Sequence, residues 1–139
     1  RNDALKFWCE WKEKGDEGFA KVVDDFVANA ELFQGKVEEH PRMEMMSDRV
    51  YVNVTCRYNP TPGSTAHGLD LNELNIEIRD RLLKTGRFMI GRANIGEDVI
   101  LRPVLCHAQT TRKVSDDLFD EIVAIGDSIV EREEAADDS

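Results

Sequence analysis

A chain of 139 residues, 41% hydrophobic and 33% charged, is long enough for one core and too apolar to remain disordered. Its formal net charge of -10 runs opposite to the basic footprint that nucleic acid or an anionic membrane surface requires. Three cysteines, Cys9, Cys56 and Cys106, form no close pairs, which argues against a disulfide framework and for a reducing, cytoplasmic compartment. No apolar run reaches the length of a membrane span.

The chain starts at Arg1, as expected of a piece of a longer protein or a processed form. Asp3 is placed to cap a short helix through about residue 14, and Gly15 to stop it. Leu5, Trp8, Cys9 and Lys12 share one stripe of that helix, and Phe7 and Trp11 make a second apolar edge. A helix apolar on two sides suits a position between two domains. Asp16 opens a second helix in which Phe19, Val22, Val23, Phe26, Val27, Ala30, Phe33 and Val37 recur at three- and four-residue steps. It should end near His40, before Pro41.

Residues 43–46 read as a weak strand. Val50, Val52, Val54 and Cys56 alternate with Tyr51, Asn53, Thr55 and Arg57, which predicts a half-buried strand. Residues 59–64 carry loop chemistry. Asp70 and Glu73 have capping-box spacing ahead of Leu71, Leu74, Ile78 and Leu82, with Gly86 as the stop. Residues 88–93 and 99–106 read as the strands of a hairpin around Gly96. Ser115 is placed to cap a last helix, with Asp116 and Asp117 against its dipole and Leu118, Ile122, Ile125 and Ile129 facing the core. The order predicts a two-layer α+β domain: a small, mostly antiparallel sheet with helices on one face. It spans residues 1–132, followed by an acidic, flexible tail over 133–139.

Arg102 is the chemically conspicuous residue. Strand alternation puts it on one face with Ile100, Val104 and Cys106. A buried guanidinium there needs an anionic partner, and its planar fork suits a carboxylate. A structural ion pair or a solvent-facing position explains the same pattern. His40, His67 and His107 lack metal-ligand spacing, and no CxxC, HExxH, GxSxG, P-loop or GxGxxG occurs. Cys106 and His107 are adjacent and so point to opposite strand faces, which reads as a core cysteine beside a loop histidine rather than a nucleophilic pair. Gly91-Arg92-Ala93-Asn94-Ile95-Gly96 lies in the hairpin and has no phosphate fingerprint.

Four spaced segments carry a resemblance. Asp3-Ala4-Leu5-Lys6-Phe7-Trp8, with Trp11-Lys12 and Gly15, resembles the D-A-L-K-x-W-x-x-W-K-x-x-G segment of the group II pyridoxal-phosphate-dependent decarboxylases, the family of glutamate, cysteine-sulfinate and aromatic amino-acid decarboxylases. Asn53-Val54-Thr55-Cys56-Arg57-Tyr58 resembles the family's N-V-C-F-x-Y strand. Gly86-Arg87-Phe88-Met89-Ile90 resembles the strand after its third helix. Leu101-Arg102 with Thr110-Thr111 resembles its L-R-x-x-x-x-N-P-x-T-T segment.

The resemblance implies the small C-terminal domain of a fold-type-I homodimer. Its large domain would bind pyridoxal phosphate through a lysine in a His-Lys pair, and the cofactor would serve as electron sink. It also implies that Arg102 contacts the carboxylate of an amino-acid substrate. This sequence has no His-Lys pair, and His107-Ala108 replaces the family's N-P. The segment alone is therefore expected to bind no cofactor and to be inactive. A standalone α+β binding or assembly module is the alternative. The small domain of an aminotransferase or desulfurase is disfavoured by the Trp8, Trp11 and Lys12 segment.

Overall fold

The computed structural model describes residues 2–61, 69–107 and 109–137. Helix α1 (Asp3–Glu39) is followed by strands β1 (Met43–Met45) and β2 (Cys56–Tyr58), helix α2 (Leu71–Lys84), strands β3 (Gly91–Ile95) and β4 (Asp98–Arg102), and helix α3 (Arg112–Asp137). The sheet is antiparallel throughout with strand order β1-β2-β4-β3. This is the α+β architecture expected. No helix among the described residues is long and apolar enough to cross a membrane.

The expected break at Gly15 is present as a kink inside α1, with φ 68° and ψ -179°. Glycine enters that left-handed region without the Cβ clash that other residues meet. Across the kink the Trp11 indole Nε1 donates to Asp16 Oδ1 at 2.6 Å. Phe7, Trp11 and Phe19 form an aromatic cluster with centroids 4.7–5.5 Å apart. The helix itself begins at Asp3, not after it. Asn2 holds the cap position without a side-chain bond to the helix.

The core lies between the sheet and the helices. Met43, Cys56, Tyr58 and Leu101 point inward from the sheet. They meet Ala30, Phe33 and Val37 of α1, Leu74, Ile78 and Leu82 of α2, and Leu118, Ile122 and Ile129 of α3. Each such side chain contributes roughly 1.5–3 kcal/mol by leaving water. One buried polar residue is fully satisfied inside this core. Asn75 of α2 accepts from Tyr58 N (2.9 Å) and donates to Tyr58 O (2.9 Å) and Leu71 O (2.8 Å), so its amide pairs with the β2 backbone as a neighbouring strand would.

Several local expectations are corrected. The strand predicted from Val50 is only Cys56–Tyr58. Tyr51 has φ 58° and Asn53 N donates to Val50 O, so residues 50–53 form a tight turn. The alternation nonetheless reports burial, because Val52, Val54 and Cys56 all face inward. Val54 N bonds to Pro103 O and Leu105 N to Val52 O. The hairpin strands begin and end at Gly91–Ile95 and Asp98–Arg102 rather than at 88–93 and 99–106, around Gly96 at φ 60°.

Asp70 caps α2 as expected, accepting from Asn72 N and Glu73 N. Helix α3 starts three residues before Ser115. The cap bond there goes from Val114 N to Thr111 Oγ1 at 3.3 Å, and the first turn carries no acidic residue. Asp116 and Asp117 instead pair with Lys36 and Lys113, at 2.7 and 2.8 Å. The acidic stretch from residue 133 is continuous with α3 as far as Asp137. The 59–64 loop is described only as far as Thr61, whose N–H bonds to Asn59 Oδ1 at 3.0 Å.

Candidate functional site

Two arginines stand on the sheet face that points away from the helices, and their environments differ. Arg57 pairs across β1 with Glu44. Its Nε and Nη2 both donate to Glu44 Oε2, at 3.1 and 2.7 Å, and Nη1 donates to Asp98 Oδ1 at 3.1 Å. Its side chain is 15% exposed. Such a pair, held on two sides, is a structural tie between β1, β2 and β4.

Arg102 ends β4 and is exposed. Its side chain makes no ion pair or hydrogen bond with any described residue, so the premise of a buried charge in need of a partner does not hold. It is a solvent-facing guanidinium with its hydrogen-bonding edge unengaged. Opposite it in the ladder is Gly91, and the guanidinium lies across that bare backbone. A Cβ built on Gly91 would be 3.4 Å from Arg102 Nε and 3.7 Å from Nη2. The pattern singled out the wrong arginine for the buried pair. Arg57 has it, and the only signal in the sequence was its place one residue after a buried Cys56.

The other candidates separate. Of the residues expected to share a face with Arg102, Ile100 is buried while Val104 and Cys106 are exposed. Cys106 is therefore not a core cysteine; Cys56 is, and burial pushes its thiol up to about 12. His107 Nδ1 accepts from Gln109 N at 3.2 Å, and His40 Nδ1 from Arg42 N at 3.2 Å. His67 and Ala108 lie outside the described residues. No cluster of His, Cys, Asp and Glu able to hold a metal occurs among the described residues.

An open groove of about 420 Å³ runs between residues 88–90, residues 104–105 and the start of α3. Ser115 lines it, with its Oγ buried and without a hydrogen-bond partner among the described residues. Behind the sheet, buried Tyr58 donates its hydroxyl to Asp127 Oδ1, which also accepts from Arg42 Nη1 at 2.6 Å. Burial, reinforced by the Asp127 carboxylate, pushes the Tyr58 phenol up to about 12.

The first half of α1 exposes several large apolar side chains close together in sequence. Leu5, Phe7 and Trp8 are each more than half exposed. Phe7 and Trp11 lean on Phe19, whereas Leu5 and Trp8 turn to the other side. The two-sided apolar helix expected from the sequence is present, and both of its sides are exposed, the Phe7 and Trp11 edge leaning in part on Phe19.

Comparison with known proteins agrees with this arrangement. The pyridoxal-dependent decarboxylase conserved domain matches residues 1–59. Tyrosine decarboxylase 1 of Narcissus pseudonarcissus is 30% identical over 102 residues, covering 71% of this chain and 20% of that protein. Cysteine sulfinic acid decarboxylase of Mus musculus is 26% identical over 119 residues, covering 78% and 24%. Among solved structures, mouse CSAD superposes with a TM-score of 0.79 at 24% identity, over 91% of this chain and 28% of that one. An Oryza sativa TDC with PLP and tryptamine superposes with a TM-score of 0.81 at 22% identity, over 91% and 27%. The chain thus spans about a fifth to a quarter of the length of the relatives it matches. It belongs to the group II pyridoxal-dependent decarboxylase family.

Proposed function

We propose that residues 1–132 form the small C-terminal domain of a pyridoxal-phosphate-dependent amino-acid decarboxylase, and that Arg102 contacts the carboxylate of its substrate. The observation that carries this reading is the exposed guanidinium of Arg102, without an ion pair or hydrogen bond among the described residues, in a fold shared with such enzymes. A carboxylate fits its fork bidentately. The exposed Leu5 and Trp8 side of α1 supports a place against the large domain of the same chain. Assembly as a homodimer in the cytoplasm completes the proposal. Three free cysteines agree with a reducing compartment.

The cofactor's place is in the rest of the protein. The sequence has no His-Lys pair. Lys84 lines a groove on α2 in which the carboxylates of Glu73, Glu77 and Asp80 outnumber the two cations, Lys84 and Arg81, a setting unfavourable to a phosphate. The residues of this segment do not fit pyridoxal phosphate as its anchor. Their part is to bind and orient substrate: Arg102 by charge and geometry, Arg57 by holding the sheet beneath it.

The test uses the full-length protein supplied with pyridoxal phosphate. Carbon dioxide release is followed from L-glutamate, L-cysteine sulfinate, L-tyrosine and L-tryptophan. Turnover of at least one of them is expected, with KM raised about tenfold or more by Arg102→Ala, as for loss of a charged hydrogen bond. No release from any of the four, with no visible absorbance from bound cofactor, would discard the reading.

A further inference from the structure

Gly91 has no local reason to be glycine. It sits inside β3, paired with Arg102 across the ladder, and it is not among the glycines at positive φ, which are Gly15, Gly86 and Gly96. Glycine inside a strand weakens it, through backbone entropy and the missing side chain, by about 0.5–1 kcal/mol relative to alanine. The three atoms nearest to a Cβ here all belong to Arg102: its carbonyl oxygen at 3.3 Å, Nε at 3.4 Å and Nη2 at 3.7 Å. A Cβ alone would rest against the guanidinium at van der Waals distance, so a side chain longer than alanine would enter the space that it occupies.

We infer that Gly91 is a positioning residue for Arg102: its bare Cα is the surface on which the guanidinium lies flat, with its fork held at the sheet face toward the substrate carboxylate. The inference rests on the proposed role of Arg102 and adds a second residue to it. Alanine at 91 touches the guanidinium at ordinary van der Waals distance, and its tightest contact is the Arg102 carbonyl oxygen at 3.3 Å. Valine, branched at the contact carbon, takes its place and turns it off the sheet. The backbone at 91 is extended strand, which suits alanine and above all valine, once the Arg102 carbonyl, 3.3 Å from the Cβ, gives by a few tenths of an ångström. The expected signature is a loss of substrate binding without a loss of stability, which a structural role does not produce.

The experiment is a double-mutant cycle in the full-length enzyme, with Gly91→Ala, Gly91→Val, Arg102→Ala and the Gly91→Val/Arg102→Ala pair. It reads KM and kcat on the amino acid best turned over, together with the melting temperature. Expected are a KM little changed by Gly91→Ala and raised about tenfold or more by Gly91→Val, with kcat changed far less. The melting temperature should stay level or rise. The double variant should be no worse than Arg102→Ala alone. If Arg102→Ala raises KM and Gly91→Val does not, the positioning role is overturned while the role of Arg102 stands. The same holds if the two effects add, or if Gly91→Val lowers the melting temperature. If Arg102→Ala itself leaves KM unchanged, the reading of Arg102 fails and that of Gly91 with it.

Discussion

The ring of Tyr58 lies directly against the Cα of Gly126, so that a Cβ on Gly126 would come within 2.6 Å of the ring. The contact joins β2 to α3, and it is fixed from both ends. The phenol is tied to Asp127, and the Tyr58 backbone to the Asn75 amide. Alanine normally improves a helix interior over glycine by about 1 kcal/mol. Here it meets a ring that has nowhere to move. Gly126→Ala is expected to destabilise the protein by about 1–3 kcal/mol, measured by urea unfolding. A stabilised variant would mean that the ring relaxes freely.

Tyr58 also sets a response to alkali. Its folded pKa is raised to about 12 from an ordinary 10.0, first by burial and then by Asp127. The stability it protects is fully present below pH 10 and is lost as pH rises toward 12, because the unfolded chain ionises first. The loss is on the order of 2 kcal/mol across that window. Buried Cys56, raised from 9.0 to about 12, adds in the same direction from pH 9 upward. Tyr58→Phe should flatten the melting temperature profile between pH 10 and 12, leaving the Cys56 part. An unchanged profile would refute the assignment to Tyr58.

Asn75 makes three hydrogen bonds to backbone groups, two of them to the N–H and C=O of fully buried Tyr58. Asn75→Leu keeps the volume and strands the Tyr58 N–H and C=O. A cost of about 2 kcal/mol or more is expected, since unmet buried polar groups are dearer than met ones are favourable. Hydrogen exchange at the Tyr58 amide should rise in step with it.

The two sheet arginines should separate in stability measurements. Arg57→Ala leaves the Glu44 carboxylate, 24% exposed, without the guanidinium that joins it to Asp98. The melting temperature should fall by several degrees, for a cost of about 1–3 kcal/mol. Arg102→Ala removes no ion pair within the described residues and should leave it unchanged. Equal effects of the two would contradict the different environments described for them.

The 139-residue segment, produced alone, should self-associate through Leu5 and Trp8, which are 55% and 57% exposed. Sedimentation of Leu5→Ser/Trp8→Ser should show a smaller weight-average mass than the parent at equal concentration. No difference would place any association elsewhere.

Local periodicity determined a good part of this protein. The apolar spacing of Phe26, Ala30, Phe33 and Val37, the stop at Gly15, the Asp70 cap and the core face of α3 are all properties of a few neighbouring residues, and each was legible in the chain. The four motifs also identified the family. What the tertiary structure alone decided are relationships between distant segments. The alternation foretold the burial of Val52, Val54 and Cys56, but not that Val50 is exposed where Tyr51 turns the chain with φ 58°. Nor did the strand of Arg102 announce that Arg57, on another strand, holds the carboxylates while Arg102 lies free over Gly91. Strand order and register come from long-range pairing, which a period of two does not encode. Which charge is paired, and which is left to bind something else, follows from that register.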